Sequence, residues 1–206
     1  MDRETVTARG HRAPPRIIAF HGRMGSGKST ACELLRAHGY REVSFAAPLK
    51  RVALALGFEH HQVYGSQRDK LETNTLWGVS GREFLQRFGT EICRDTLPRT
   101  FPAMPRSLWC ALMRRELAAY ADERFAISDC RFEDEARLVR ELGGVVVHLH
   151  RDDAGAPADA GAASQHRSER ELSLELVDAH VDNNGSPRAL QRAIDRVLAT
   201  RTRVDA

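Results

Sequence analysis

The sequence lacks several features that mark particular classes of protein. No apolar run approaches the roughly 18 residues of a membrane span, and the first residues carry charge without the apolar core of a secretion signal. The four cysteines are scattered and form no C-x-x-C pair. We therefore expect reduced, mostly buried thiols in a cytoplasmic protein that contacts no membrane.

The sequence also lacks a zinc-binding pattern of histidines and a large net charge of either sign. The nine histidines show no spacing typical of zinc ligands. Lys and Arg number 31 against 28 for Asp and Glu, a net charge of +3, which does not indicate binding to polymeric nucleic acid. With 206 residues, 42% of them apolar and 29% charged, the chain has the size and composition of one globular enzyme domain.

One stretch carries a specific signal. Gly22 to Ser29 fits the pattern G-x-x-x-x-G-K-[ST], with an apolar segment before it and a helical one after it. Its glycines would let successive backbone N–H groups curl around phosphate oxygens. Lys28 would reach the β- and γ-phosphates of ATP, and the Ser29 hydroxyl would bind Mg²⁺. The predicted ATP-binding residues of this loop are Gly22, Met24, Gly25, Ser26, Gly27, Lys28, Ser29 and Thr30. The alternative is an ordinary strand–turn–helix with a flexible glycine turn.

The rest of the chain alternates strand-like with helix-like segments. Strands are expected over 16–21, 42–45, 125–129, 145–150 and 177–181. This alternation predicts an α/β fold, a five-stranded parallel sheet flanked by helices. Residues 1–15 are expected to be a disordered leader and 16–200 the folded domain. Because ligands of such sheets bind at the carboxyl ends of strands, the loop, Asp129, Arg151 and Asn183 could meet at one edge.

Two local patterns between the second and third predicted strands give sharper expectations. Leu49, Val52, Ala53 and Leu56 have the spacing of one inward helix face. Gly89 is expected to end the helix that follows Ser80, with Thr90 capping a second short helix. Trp77 and Trp109 could each stack on a base or fill the core, and the core is favoured.

A carboxylate ends the third predicted strand. Asp129 stands where a second Mg²⁺ ligand of a phosphate-loop enzyme is expected, often acting through water. The alternative is a cap for the helix that follows. We favour the metal role because the loop is present.

Two groups of cations could complete a phosphate-transfer site, because guanidinium groups match phosphate oxygens. The first group comprises Arg131, Arg151, Arg167 and Arg170. Arg167 and Arg170 lie beside the Ala- and Gly-rich stretch 152–164, and the sequence is equally consistent with their being part of a lid or solvated surface side chains. The second comprises Lys50, Arg82 and Arg94, which could hold the phosphate of a second substrate. No general base is evident, which suits an acceptor that is itself a phosphate, already ionised at neutral pH.

Several segments, in order over about residues 16–198, resemble the bacteriophage-type deoxynucleoside monophosphate kinases, a branch of the P-loop nucleoside monophosphate kinases. The segments are 22–30, 44–50, 81–91, 127–132, the strand ending at Arg151, 166–169 and 182–186. The stretches Leu85 to Glu91 (LQRFGTE) and Ser128 to Phe132 (SDCRF) are more specific than the loop.

The resemblance implies transfer of the ATP γ-phosphate to a deoxynucleoside monophosphate (dNMP), with Mg²⁺ and a mobile lid over about 152–172. It implies that an insertion over about 46–122 binds the monophosphate, that Arg131 and Arg151 join Lys28 and Asp129 in catalysis, and that Asn183 and Asn184 lie by the adenine. The implied monophosphate ligands are Phe45, Lys50, Arg82, Gln86 and Arg94. A homodimer is left open.

Two departures from the family pattern bear on the choice of base. Ala47 stands where relatives often have Asp, and Glu133-Asp134 replace a common Pro-Asn. Two other functions stay open from the residues alone. One is a kinase for another phosphorylated metabolite such as dephospho-coenzyme A, and the other is a non-catalytic ATP-binding module.

Overall fold

The computed structural model describes residues 13–152, 154 and 172–199. The strands are β1 (Ile17–His21), β2 (Tyr40–Val43), β3 (Arg124–Ile127), β4 (Val145–His150) and β5 (Ala179–Asp182). The helices are α1 (Lys28–Arg36), α2 (Ala47–Ala55), α3 (His60–Tyr64), α4 (Gln67–Leu71), α5 (Gly81–Arg87), α6 (Leu97–Thr100), α7 (Leu108–Ala119), α8 (Glu133–Glu141) and α9 (Pro187–Leu198). A π-helical segment, Phe88–Thr96, joins α5 to α6, and a 3₁₀ turn covers Leu174–Leu176.

In the described residues the five strands form one parallel sheet in the order β2-β3-β1-β4-β5. The central strand β1 is buried along its whole length, as expected of an apolar strand with helices on both faces. One core contains Ile17, Ala19 and Phe125, and the other contains Ile18 and Phe20. Successive side chains of β1 thus enter opposite layers, and the predicted α/β fold is confirmed.

The helices between β2 and β3 differ more from the predictions made from the sequence. Only Leu49 and Ala53 of the predicted α2 stripe are buried, while Val52 and Leu56 are 37% and 39% exposed. The expectation that Gly89 ends a helix is wrong, because α5 continues directly into the π-helical segment. A Cβ on Gly89 would lie 2.6 Å from Leu49 Cδ2, so this glycine permits close packing on α2.

Three further expectations concern chain ends and membranes. Residues 1–12 of the expected leader, and most of the expected lid, lie outside the described residues. Pro15 is buried, and its carbonyl oxygen accepts a hydrogen bond from the Tyr40 hydroxyl. Of the helices in the described ranges, none has both the length and the apolarity needed to cross a bilayer.

Candidate active site

A cleft of about 950 Å³ opens at the carboxyl edge of the sheet, between the glycine-rich loop and the helices that follow β2. Four parts of the chain line it: the loop after β1 with α1, the segment between β2 and β3, the residues that follow β3, and the residue that follows β4. The predicted site residues that line it are Met24, Gly25, Gly27, Lys28, Ser29, Thr30, Phe45, Lys50, Arg82, Gln86, Arg94, Asp129, Arg131 and Arg151.

The loop between β1 and α1 has the backbone conformation that a phosphate nest requires. Gly22, Gly25 and Gly27 have φ angles of 144°, 84° and 101°, which residues with a Cβ rarely adopt. A Cβ on Gly22 would lie 2.3 Å from the Leu149 carbonyl oxygen, and one on Gly27 would lie 2.3 Å from Asn183 Nδ2. At Gly22 and Gly27, therefore, both the φ angle and the lack of space for a Cβ favour glycine.

Side chains around the loop brace it from inside and outside. Lys28 Nζ donates hydrogen bonds to the carbonyl oxygens of Gly22 (2.6 Å) and Arg23 (2.7 Å). Asn183 Nδ2 donates to the carbonyl oxygen of Ser26 at 2.9 Å, and Ser26 is fully buried. Asn183 thus supports the loop from β5 and lies outside the residues that line the cleft.

The second predicted asparagine lies farther out. Asn184 is exposed, and its Oδ1 accepts a hydrogen bond from the backbone N–H of Asp152 at 2.9 Å. This contact ties the end of β5 to the start of the segment after β4. Arg167 and Arg170, the other predicted residues of that segment, lie outside the described residues.

Asp129 holds the connection between β2 and α2. Its Oδ1 accepts a hydrogen bond from the Phe45 N–H at 2.9 Å. Its Oδ2 accepts one from the Ser44 hydroxyl at 2.7 Å and one from the Ala46 N–H at 2.9 Å. The carboxylate therefore joins the end of β3 to the loop that carries Phe45, a contact that the sequence did not predict.

Phe45 itself is part of the core as well as of the cleft wall. It is 3% exposed and packs in the same apolar cluster as Leu49 and Trp109. Trp109 is 6% exposed and donates a hydrogen bond to the Gly89 carbonyl oxygen at 2.9 Å, so the core interpretation is confirmed for it. Trp77 is 52% exposed, so the same interpretation is wrong for that residue.

Two cations of the helical segment contact uncharged groups. The Lys50 ammonium lies over the Tyr64 ring, 4.9 Å from its centroid. Arg82 is buried, and its Nη1 donates to Gln67 Oε1 at 3.2 Å and contacts Met24 Sδ at 3.7 Å. Positive charge thus faces the cleft from α2 and α5, opposite the phosphate loop.

Arg94 has two acidic partners on α8. Its guanidinium bonds to Asp134 Oδ2 at 2.7 Å and to Glu135 Oε1, and it stacks on the Phe132 ring at 3.9 Å. Its side chain is 7% exposed. Arg94 therefore lies at the cleft, as predicted for a ligand of the monophosphate, but it is also an anchor for α8.

Glu135 is a buried acid that sequence reasoning missed. Its Oε2 accepts the backbone N–H groups of Arg131 (2.8 Å) and Phe132 (3.1 Å). Burial raises its pKa to about 8, although Arg94 and the Arg131 N–H favour the ionised form. Its place in the first turn of α8, where acidic residues are common, was the available signal.

A loop suited to a polyphosphate and a set of cations suited to a second anion therefore share one cleft. This pairing defines a P-loop kinase, which moves a phosphoryl group between two bound molecules. The chain belongs to the deoxynucleotide monophosphate kinase family, whose model matches residues 69–194. It is thus a kinase, and the resemblance drawn from the sequence is confirmed.

A viral relative supports this assignment by sequence. A candidate deoxynucleotide monophosphate kinase of Acanthamoeba polyphaga mimivirus is 34% identical over 176 residues, which cover 82% of this chain and 88% of that protein. Among solved structures, a gluconokinase from Sinorhizobium meliloti 1021 is 18% identical with a TM-score of 0.47, over 91% of this chain and 95% of that one. A dephospho-CoA kinase from Campylobacter jejuni is 15% identical with a TM-score of 0.46, over 88% and 94%. These two structural likenesses are too distant to inform the substrate.

Proposed function

We propose that the protein transfers the γ-phosphate of ATP to a deoxynucleoside 5′-monophosphate, giving a dNDP and ADP, with Mg²⁺ as the required ion. The single observation that carries this proposal is the shared cleft, in which Lys28 of the loop lies in one wall and Lys50, Arg82 and Arg131 lie in the others. Both substrates are anions, and each wall offers charge to one of them.

In this proposal the loop binds the triphosphate. Backbone N–H groups of residues 22–30 receive its oxygens, and Lys28 exchanges its bonds to the Gly22 and Arg23 carbonyls for the β- and γ-phosphates. Arg131 and Arg151 contact the phosphoryl group in transfer. Asn183 and Asn184 belong to the adenine end of the site.

The residues present fit a magnesium ion. Ser29 is exposed and lines the cleft, and Asp129 Oδ1 accepts one hydrogen bond, from the Phe45 N–H, which leaves it a lone pair for a metal-bound water. Within the described ranges no cluster of three His, Cys, Asp or Glu side chains could close around a metal. Such an open arrangement suits an ion that phosphate oxygens and waters complete, and when bound it would neutralise charge on the β- and γ-phosphates.

On the acceptor side of the cleft, catalysis needs cations that bind and position the monophosphate more than it needs a general base. A phosphate monoester has a second pKa of about 6, so at neutral pH it is largely a dianion and needs no proton removed. Lys50, Arg82, Gln86 and Arg94 would bind this acceptor, and Phe45 would contact its base. Holding both phosphates in line supplies the entropic part of catalysis, and the cations supply the electrostatic part.

A substrate panel tests the proposal. ADP release, measured by enzyme coupling, should require Mg²⁺ and one or more of the four dNMPs, and chromatography should identify the product as a dNDP. The four NMPs and dephospho-coenzyme A complete the panel. A purified, folded protein that ignores every dNMP, or that prefers dephospho-coenzyme A, would overturn the proposed acceptor.

A further inference from the structure

The distribution of lysine in this chain is uneven. The sequence contains three lysines, Lys28, Lys50 and Lys70, against 28 arginines. All three lysines line the same cleft. The proposed function gives roles to Lys28 and Lys50, and it gives none to Lys70.

Lys70 reaches the cleft from α4, a short helix of five residues. Gln67 lies one turn earlier on the same helix face, and its Oε1 accepts the hydrogen bond from Arg82 at 3.2 Å. The carboxylate next to Lys70 in the sequence, that of Asp69, caps the start of α4: its Oδ2 accepts a hydrogen bond from the Ser66 N–H at 2.7 Å. This arrangement fixes α4 beside Arg82 with both Gln67 and Lys70 at the cleft.

The ammonium of Lys70 has three cations and one carboxylate near it, and the Asp69 carboxylate raises its pKa by less than each of the cations lowers it. Among residues 13–152, 154 and 172–199 it makes neither a hydrogen bond nor an ion pair. Burial lowers its pKa, and the positive charges of Lys50, Arg131 and Arg82 lower it further. A group of like charges held together in a partly buried site is unfavourable until an anion joins it.

The carboxylates that line the cleft are already engaged. Asp129 accepts hydrogen bonds from the loop of Ser44 to Ala46. Glu135 bonds to Arg94 and to backbone N–H groups. Glu42 lies 3.6 Å from Arg36. A bound anion can therefore offer Lys70 a negative charge that these three carboxylates do not.

We propose that Lys70 binds the phosphate of the acceptor monophosphate, together with Lys50 and Arg82. This inference rests on the proposed function and extends it to a residue outside the recognised motif. The anion is a phosphate dianion, whose oxygens can accept from several donors at once. A bound anion attracts Lys70 and its cationic neighbours, and this attraction offsets the repulsion between them.

Steady-state kinetics of matched variants test the role of Lys70. For Lys70→Gln we expect the KM for the dNMP to rise about tenfold or more, the size of one charge-assisted hydrogen bond, with the KM for ATP within about twofold of wild type. Lys70→Arg should recover part of the loss. Arg68→Gln is the control, because Arg68 is exposed on the same helix and does not line the cleft, and it should match wild type.

Thermal unfolding without ligand separates binding from a structural role. Removing one charge from a group of like charges should leave the melting temperature of Lys70→Gln equal to that of wild type or above it. A lower melting temperature for Lys70→Gln, or equal dNMP KM values for Lys70→Gln and Arg68→Gln, would overturn the proposal.

Amine labelling gives a readout that does not depend on turnover. Because the chain has three lysines, reductive methylation followed by mass spectrometry reports each one separately. An equimolar mixture of the four dNMPs should slow labelling of Lys50 and Lys70, and ATP alone should slow labelling of Lys28. Protection of Lys50 with unchanged labelling of Lys70 would refute the inference and leave the proposed function standing. Protection of neither by any dNMP would remove the acceptor site and the inference together.

Discussion

The two walls of the cleft are built in different ways. The donor wall is a run of consecutive residues, 22–30, and its form comes from backbone angles and from bonds between Lys28 and its own loop. The acceptor wall brings together side chains from separate elements, with Lys50 on α2, Lys70 on α4 and Arg82 on α5. A continuous motif defines the first wall, and only the fold defines the second.

This difference has an energetic side. In the donor wall the Lys28 ammonium has hydrogen-bond acceptors at 2.6 and 2.7 Å within its own loop. In the acceptor wall Lys70 makes neither a hydrogen bond nor an ion pair within the described residues. Lys50 lies over the Tyr64 ring, and Gln67 is among the partners of Arg82. We therefore infer that the donor wall is preformed and that the acceptor wall gains more from its ligand.

The largest effect should come from the donor wall. Lys28→Ala removes the loop side chain that we propose carries charge to the β- and γ-phosphates. We expect turnover to fall by about a hundredfold or more, as for the loss of one strong electrostatic contact to a transition state. Circular dichroism should match wild type, since Lys28 is not in the core. Turnover equal to wild type would remove Lys28 from the mechanism.

A backbone substitution tests whether the donor wall depends on its main chain. Gly27→Ala places a methyl group 2.3 Å from Asn183 Nδ2 at a φ of 101°, so the loop must shift. The left-handed conformation alone costs about 1–2 kcal/mol, and we expect the KM for ATP to rise about tenfold.

The control for this substitution is Gly143→Ala. Gly143 has a φ of 73° and no atom within 4 Å of the added carbon. It precedes β4, at the edge of the sheet opposite the cleft. Its variant should lose a similar amount of stability and keep the ATP KM of wild type. Equal ATP KM values for both variants would show that the loop tolerates the methyl group.

The same contrast explains what the sequence could and could not predict. The β1–loop–α1 unit and the parallel sheet follow from local patterns, an apolar run and a glycine motif, and the structure has both. Lys70 and Glu135 were missed because their significance depends on what surrounds them. The error at Gly89 has the same origin, since its close approach to Leu49 arises between helices distant in sequence.

Asp129 lies between the two walls, and two variants can separate its possible tasks. Asp129→Asn replaces one acceptor oxygen by an amide NH₂ group, which is a donor. This group would face either the Phe45 N–H or the Ser44 and Ala46 donors, so the hydrogen bonds at that oxygen are lost. We expect the KM for the dNMP to rise about tenfold, the effect of losing a hydrogen bond to a charged group. If Asp129 also contacts a metal-bound water, the Mg²⁺ concentration for half-maximal activity should rise as well.

Ser44→Ala is the matched comparison, because it deletes a single bond of 2.7 Å to Asp129 and keeps the carboxylate. It should raise the dNMP KM modestly and leave the Mg²⁺ dependence unchanged. A shift in Mg²⁺ dependence of equal size in both variants would indicate that the loop, and not the carboxylate, sets the response to the metal.

The smallest effect concerns stability and pH in the acceptor wall. Burial raises the pKa of Glu135 to about 8 in the folded protein, from 4.5. Between these values the folded state keeps a proton that the unfolded state releases, so the free energy of unfolding falls as pH rises from about 5 to 8. Glu135→Gln has no such proton but can still accept a hydrogen bond from Arg94.

Denaturant unfolding at several pH values should therefore show a decline for wild type that is weaker in Glu135→Gln. Glu133→Gln is the control, since Glu133 is exposed and pairs with Arg137 at 2.6 Å on the same helix. It should retain the decline of wild type, including any part that histidines contribute. Parallel profiles for all three proteins would mean that Arg94 and the Arg131 N–H hold Glu135 ionised throughout. In that case the acceptor wall would carry a permanent ion pair, and its resemblance to the donor wall would be closer than we infer.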